Sequence, residues 1–261
     1  SHCYWYPVKK EKPKKVSFQQ KVKNLEKILK NTFFEWSANR SKIGVVLSGG
    51  LDSTLLSEMI LKFNNKEIIQ FFTVYFEKDS PQGEINYARS ISKKYKKKHH
   101  LIKLKEKDVK NRLINILSDT CEPLMALNAI TFDFIFDYIK KHTDIKTIFS
   151  GEGSDEIFAG YKRYHTILQR YNKEKNLNLF LVSLNYLSIE RLKKIKKNFK
   201  YIIPPLRKKL LKSLLSKNPL NKYMELDQAT FLPPTLEKVD GLLRKYSLEL
   251  RSPFCDKNVI E

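Results

Sequence analysis

A chain of 261 residues, 41% of them hydrophobic, is long enough to bury the core of one large domain, which excludes wholesale disorder. Its 50 Lys+Arg against 28 Asp+Glu give a formal charge of +22, and such an excess attracts anions, nucleic acid among them. Much of the excess sits in runs such as Lys93-Lys94-Tyr95-Lys96-Lys97-Lys98 and Arg207-Lys208-Lys209, inside helix-like segments that also carry apolar residues, so it reads as solvated face and nucleic acid is not the expected partner.

Residues 1–15 read as an irregular lead, aromatic and then rich in lysine and proline. Val22, Leu25, Ile28, Leu29 and Phe33 recur at helical spacing and predict a helix from Phe18 to about Trp36. Ile43-Gly44-Val45-Val46-Leu47 is a short apolar run of the kind found in strands buried on both faces; a glycine turn follows, then a helix beginning near Asp52. Strands are also predicted at Ile68 to Tyr75 and His100 to Leu104, with a helix from about Gly83 to Lys97 between them. A further pair of helices leads to a fourth strand at Thr147-Ile148-Phe149. Strands alternating with helices imply parallel crossovers and a doubly wound α/β sheet. After about Tyr171 the chain turns lysine-rich and mostly helical, with breaks at Pro204-Pro205, Pro219 and Pro233-Pro234, and reads as a helical extension packed on the sheet.

Cys3, Cys121 and Cys255 are far apart, match no zinc-ligand spacing and make no disulfide framework, which points to a reducing cytoplasm. No stretch approaches the roughly 18 to 20 apolar residues of a membrane span, and the amino-terminal Ser-His-Cys-Tyr-Trp-Tyr-Pro is not a signal peptide, so no membrane is expected as a partner.

Chemistry concentrates first in Ser48-Gly49-Gly50-Leu51-Asp52-Ser53-Thr54, between the first strand and its helix. Glycines let backbone approach a phosphate, and the N–H groups and positive dipole of a helix start favour an anion. Ser48, Ser53 and Thr54 add hydroxyl donors, while Asp52 would repel bare phosphate and so implies Mg2+ between its carboxylate and pyrophosphate oxygens. The motif is neither a Walker loop nor a dinucleotide fingerprint; its bland alternative is a turn in which Asp52 or Ser53 only caps the helix. It resembles the PP-loop of the ATP pyrophosphatase superfamily, which cleaves ATP to AMP and pyrophosphate and includes both ammonia-using synthetases and enzymes that modify transfer RNA.

A second motif, Ser150-Gly151-Glu152-Gly153-Ser154-Asp155-Glu156-Ile157-Phe158-Ala159-Gly160-Tyr161, follows the fourth strand and falls at the carboxyl edge of the sheet, where open α/β folds bind ligands. Three acids in so short a loop call for a cation or a reactive ligand; the alternative is that Ser154 and Asp155 cap the next helix. The segment resembles the second signature of the asparagine synthetase family. The resemblance implies that Glu152 lies beside an acyl-adenylate and the incoming ammonia, that Asp52 and Asp155 hold magnesium, and that Ser48, Gly49, Gly50, Ser53, Thr54, Ser150 and Gly151 line the ATP phosphates. It also implies that Leu47 and Val74, at strand ends, offer backbone groups to adenine.

Weaker matches follow in the family's order: Glu84-x-x-x-Ala88-Arg89 with His99-His100, then Glu122-Pro123, then Lys238-Val239-Asp240, and last Ser247-Leu248-Glu249-x-Arg251-x-Pro253-Phe254-x-Asp256. Cys121 replaces a usual aspartate, Gly241 an arginine and Cys255 a leucine. The expected organisation is a leading segment and first helix over residues 1–36, then a synthetase-like ATP-binding domain over 37–261 whose part from 172 onward is mostly helical and shorter than in the family. The family's glutaminase domain and a late lysine are not seen in the sequence, so the expectation is nucleotide binding with feeble amide synthesis, ammonia from a glutaminase domain or subunit elsewhere, and aspartate as the acyl substrate. Alternatives left open are a related amide or lactam synthetase, a basic PP-loop enzyme acting on transfer RNA, and a non-catalytic relative.

Overall fold

The computed structural model describes residues 16–38, 42–63, 68–76, 84–120, 128–165, 168–169 and 218–261. The expectations for residues 1–15 with Cys3, for Cys121 and Glu122-Pro123, for Pro204-Pro205, for Arg207-Lys208-Lys209 and for a helical stretch between 172 and 217 lie outside the described residues. The chain forms two compact units, one running to Gly153 and resuming at Pro234–Glu261, the other Ser154–Pro233.

In the first unit, α1 (Phe18–Ser37) leads to β1 (Lys42–Val46), α2 (Leu51–Phe63), β2 (Ile68–Phe76), α3 (Glu84–Lys94), β3 (Lys98–Leu104), α4 (Glu106–Thr120), α5 (Asn128–His142) and β4 (Thr147–Phe149). All pairings are parallel and the order is β3-β2-β1-β4-β5, where β5 is Glu249–Arg251 near the carboxyl end. The fourth predicted strand is thus not the last. β5 pairs Thr147 with Glu249 and Phe149 with Arg251, and at three residues of mixed charge it has no apolar run to announce it.

Alternation along the strands sends side chains to two faces. Phe72, Ile102, Leu104 and Ile148 face α4, α5 and α8 (Leu232–Tyr246), building a core with Ile116, Phe136, Ile139, Leu242 and Leu243. Gly44 belongs to this face, and a Cβ there would meet Phe72 at 3.1 Å. Ile43, Val45, Leu47, Ile69, Phe71 and Phe149 are buried on the other face, where α1 packs on α2, and α3 packs on β2 and β3. Helices on both faces of a parallel sheet are the doubly wound architecture.

One polar network ties the core face together. Tyr246 Oη donates to buried Asp133 Oδ1 at 2.8 Å, and Arg112 pairs with Asp133 and Asp137 at 3.1 Å each. Burial pushes the Asp133 carboxyl up, and the Tyr246 hydroxyl and Arg112 guanidinium oppose this. On the other face α1 is fastened to the carboxyl end: Phe33 meets Phe254 edge to face, 5.3 Å between centroids, and Trp36 Nε1 donates to Asp256 Oδ2 at 2.9 Å.

Two local differences from the sequence reading have plain causes. α3 stops at Lys94 because Lys96 takes a left-handed conformation (φ 51), and β3 begins at Lys98, so His99 lies within the strand rather than before it. Pro219 and Pro233-Pro234 open helices instead of interrupting them: α7 (Pro219–Thr230) begins on Pro219 after the Asn218 cap, and the other two fall in the first turn of α8. The first turn tolerates proline because its N–H groups have no intrahelical acceptor.

The second unit holds α6 (Ser154–Phe158) and α7. Glu156 is buried in it, accepting from Tyr161 Oη at 2.7 Å, while its backbone carbonyl accepts from Gln228 Nε2 at 3.0 Å. Asp227 accepts from Tyr164 Oη at 2.7 Å and pairs with Arg163 at 2.8 Å. Burial drives the Glu156 carboxyl above its ordinary range although Tyr161 donates to it. No helix among the described residues is long and apolar enough to cross a membrane.

Candidate active site

The strand order reverses between β1 and β4: the chain moves outward from β1 through β2 to β3, then returns to place β4 on the other side of β1. Loops leaving the carboxyl ends of two such neighbours diverge and open a crevice, the general ligand position in doubly wound sheets. Both motifs leave from those ends, Ser48-Gly49-Gly50 after β1 and Ser150-Gly151-Glu152-Gly153 after β4.

The first loop is internally braced. Ser53 Oγ accepts from the Ser48 N–H at 3.2 Å, the Ser48 and Ser53 hydroxyls are 2.9 Å apart, and Ser48 Oγ accepts from the Gly50 N–H at 3.2 Å. The hydroxyls assigned to phosphate from the sequence therefore also shape the loop. Gly49 has φ 92, and a Cβ there would stand 2.0 Å from the Glu84 carbonyl oxygen at the start of α3. Backbone pressed on backbone cannot yield as a flexible side chain would, so any other residue displaces the loop or α3. The first helical rung is Thr54 N–H to the Gly50 carbonyl at 3.1 Å. The N–H groups of Leu51, Asp52 and Ser53 precede that ladder and are the orphan donors of a helix start.

The second loop closes on the first. A Cβ on Gly151 would lie 3.4 Å from both Asp52 Cβ and the Ser53 nitrogen, so the two loops approach at the start of α2 to within the contact reach of a single methyl group. Ser150 is buried, its N–H donating to the Arg251 carbonyl at 3.0 Å and its hydroxyl lying 3.2 Å from that of Ser252, so β5 anchors this loop. Glu152 is half-buried. Its Oε2 accepts from Asn128 Nδ2 at 3.4 Å, at the start of α5, and its carbonyl accepts from the Cys255 thiol at 3.4 Å.

On the far side of β1, the last backbone rung to β2 is Leu47 N–H to the Phe72 carbonyl at 3.0 Å. Period-two alternation turns the N–H and C=O of Val74 to the same side as those of Phe72. β1 has ended at Val46, so these groups emerge beside the first loop. The Leu47 carbonyl accepts from the Thr73 hydroxyl.

Asp155 belongs to the second unit, where a Cβ on Gly160 would come 1.9 Å from its Oδ1 and push that carboxylate aside. For a divalent cation the described residues contain no cluster of three or more His, Cys, Asp or Glu, which rules out a preassembled cage among them. Magnesium does not need one, since it is usually held by one or two carboxylates with phosphate oxygens and water. Asp52, half-buried and with no hydrogen bond or ion pair among the described residues, suits that role.

A family model for asparagine synthase matches residues 25–261. The chain belongs to the asparagine synthase family. Over 148 residues it is 30% identical to the glutamine-hydrolyzing asparagine synthetase of Mus musculus, covering 54% of this chain and 26% of that protein. To the probable glutamine-hydrolyzing asparagine synthetase of Acanthamoeba polyphaga mimivirus it is 36% identical over 138 residues, covering 51% and 24%. The chain thus spans about a quarter of the length of the curated relatives it matches. Among solved structures it resembles a glutamine-dependent NAD+ synthetase from Acinetobacter baumannii in complex with adenosine diphosphate (TM-score 0.40, 14% identity, 58% of this chain and 29% of that one). It also resembles a U34-tRNA thiolase from Methanococcus maripaludis (TM-score 0.40, 14% identity, 94% and 86%).

Sequence reasoning missed three neighbours of the candidate site: Asn128 and Cys255 against Glu152, and Thr73 against Leu47. Asn128 opens a helix and Thr73 sits inside an apolar strand, so each has a ready local explanation that conceals its long-range contact.

Proposed function

We propose that this asparagine synthase-family domain is an ATP-dependent carbon–nitrogen ligase that adenylates a carboxylate, aspartate in the first place, and transfers ammonia to it, yielding asparagine, AMP and pyrophosphate. The observation that carries the reading is the close approach of Gly151 to Asp52 and Ser53, which brings the two motif loops together at the strand-order reversal.

Adenine is held at the backbone of Leu47 and Val74, and the phosphates at Ser48 to Thr54 with Ser150 and Gly151. A carboxylate oxygen attacks the α-phosphorus and pyrophosphate leaves, giving the acyl-adenylate. The orphan N–H groups at the start of α2 face the departing charge, where preorganised donors act without reorganisation. Asp52 would hold magnesium, which would supply Lewis-acid neutralisation of the pyrophosphate. Ammonia then attacks the acyl carbon, AMP departs with the carboxylate oxygen it gained, and Glu152 takes the surplus proton as general base. Ammonia comes from a glutaminase domain or subunit, and the reaction takes place in the cytoplasm.

With ATP, magnesium, aspartate and ammonium, asparagine, AMP and pyrophosphate are expected in equal amounts. Other carboxylic acids offered in place of aspartate test the acyl substrate. Release of ADP and phosphate, or AMP formation independent of any carboxylate, would contradict the reading.

A further inference from the structure

Three strands are linked at one level by side-chain hydrogen bonds that the mechanism above does not use. The Thr73 hydroxyl, buried on β2, donates its only proton to the Leu47 carbonyl at the end of β1. It must therefore accept at its second contact, which is His99 Nε2 on β3 at 2.8 Å, so that nitrogen carries a proton. His99 Nδ1 lies 3.0 Å from Ser92 Oγ on α3, whose hydroxyl also lies 2.9 Å from the Arg89 carbonyl; with the ring neutral and protonated at Nε2, that hydroxyl turns its single proton to Nδ1 instead of to the carbonyl. The ring also meets Phe71 edge to face, 6.3 Å between centroids. Burial, with the nearby charges of His100 and Arg89, pushes the imidazole down to about 4, so the ring is neutral at neutral pH and the Thr73 contact decides which nitrogen keeps the proton.

The chain ends at a useful atom. The Leu47 carbonyl shares its peptide plane with the Ser48 N–H, which already donates to Ser53 Oγ at 3.2 Å, so a hydroxyl on the Leu47 oxygen fixes the whole plane. A carbonyl oxygen has two lone pairs; Thr73 takes one and leaves the other for a ligand N–H. Of the common purines, adenine offers an amino group at its 6-position, whereas guanine and hypoxanthine offer a carbonyl that such an oxygen repels. Chained hydrogen bonds also polarise one another, strengthening the terminal acceptor.

We propose that His99 and Thr73 form a positioning relay that fixes the Leu47 carbonyl as acceptor for the 6-amino group of the nucleotide base, so that a side chain two strands away contributes to base selection. The inference rests on the nucleotide site proposed above. It is tested by titrating the whole chain, with magnesium, against ATP and against purine riboside triphosphate, which lacks only the 6-amino group. The wild type should prefer ATP by about 5- to 10-fold, the worth of one hydrogen bond. Thr73→Val and His99→Leu should lose that preference while binding the analogue as before; Thr73→Ser and His99→Gln, which keep a donor, should recover most of it. NMR of the imidazole nitrogens in the wild type should show the Nε2–H tautomer. Equal weakening for both nucleotides would make the pair merely structural and overturn the relay, as would an unchanged preference or a predominant Nδ1–H tautomer. Failure of the wild type to bind either nucleotide would instead overturn the site on which the relay rests.

Discussion

Glu152→Gln is expected to lower ammonia-dependent amide formation by about 10²- to 10⁴-fold, the range of a lost general base, while leaving ATP binding and aspartate-dependent pyrophosphate release near wild type. The glutamine is nearly isosteric and can still accept from Asn128 through its oxygen, and the Cys255 thiol donates to the backbone carbonyl at 152, which the substitution does not touch. What is lost is the negative charge able to take a proton from attacking ammonia. Separate assays of the two half-reactions check this. If pyrophosphate release and nucleotide affinity fell as far as amide formation, Glu152 would be a metal-binding or structural acid.

Asp52→Ala is expected to lower magnesium-dependent pyrophosphate release by about 10²- to 10³-fold, the typical cost of one electrostatic contact to a developing charge. Stability should fall by no more than about 1 to 2 kcal/mol, the range for a lost helix cap. The gap between these effects follows from position: Asp52 sits in the first turn of α2, without a hydrogen bond or ion pair among the described residues, so the fold has little to lose. Thermal denaturation beside a pyrophosphate assay separates them. Unchanged pyrophosphate release would remove Asp52 from the site.

The sheet was readable in the sequence where burial on both faces forces continuous apolar runs. Ile43 to Leu47 and Ile68 to Tyr75 fall on β1 and β2 within a residue or two. β5 was not, because it is an edge strand of three residues whose Glu249 and Arg251 pair with each other at 2.8 Å. The two motifs were legible because glycine, serine and acid are concentrated there without an apolar period to explain them. Their close approach was not: it depends on the chain skipping from β3 back to β4, which brings Gly151 near Asp52 across about a hundred residues. The relay of His99, Thr73 and Leu47 was hidden likewise, each partner 26 positions from the next. The helix boundary at Lys94 was missed because Lys96, a lysine in a left-handed turn, carries none of the usual signature of glycine or asparagine.

The central claim is that a carboxylate is activated by attack on the α-phosphorus of ATP and that ammonia then displaces AMP. The measurement that bears on it most directly is the fate of oxygen-18 placed in the side-chain carboxylate of aspartate, followed by mass spectrometry of the nucleotide product. An acyl-adenylate passes one labelled oxygen to AMP in every turnover that forms asparagine, and none to pyrophosphate. Asparagine formed alongside unlabelled AMP, or label found in inorganic phosphate with ADP as the nucleotide product, would contradict the account.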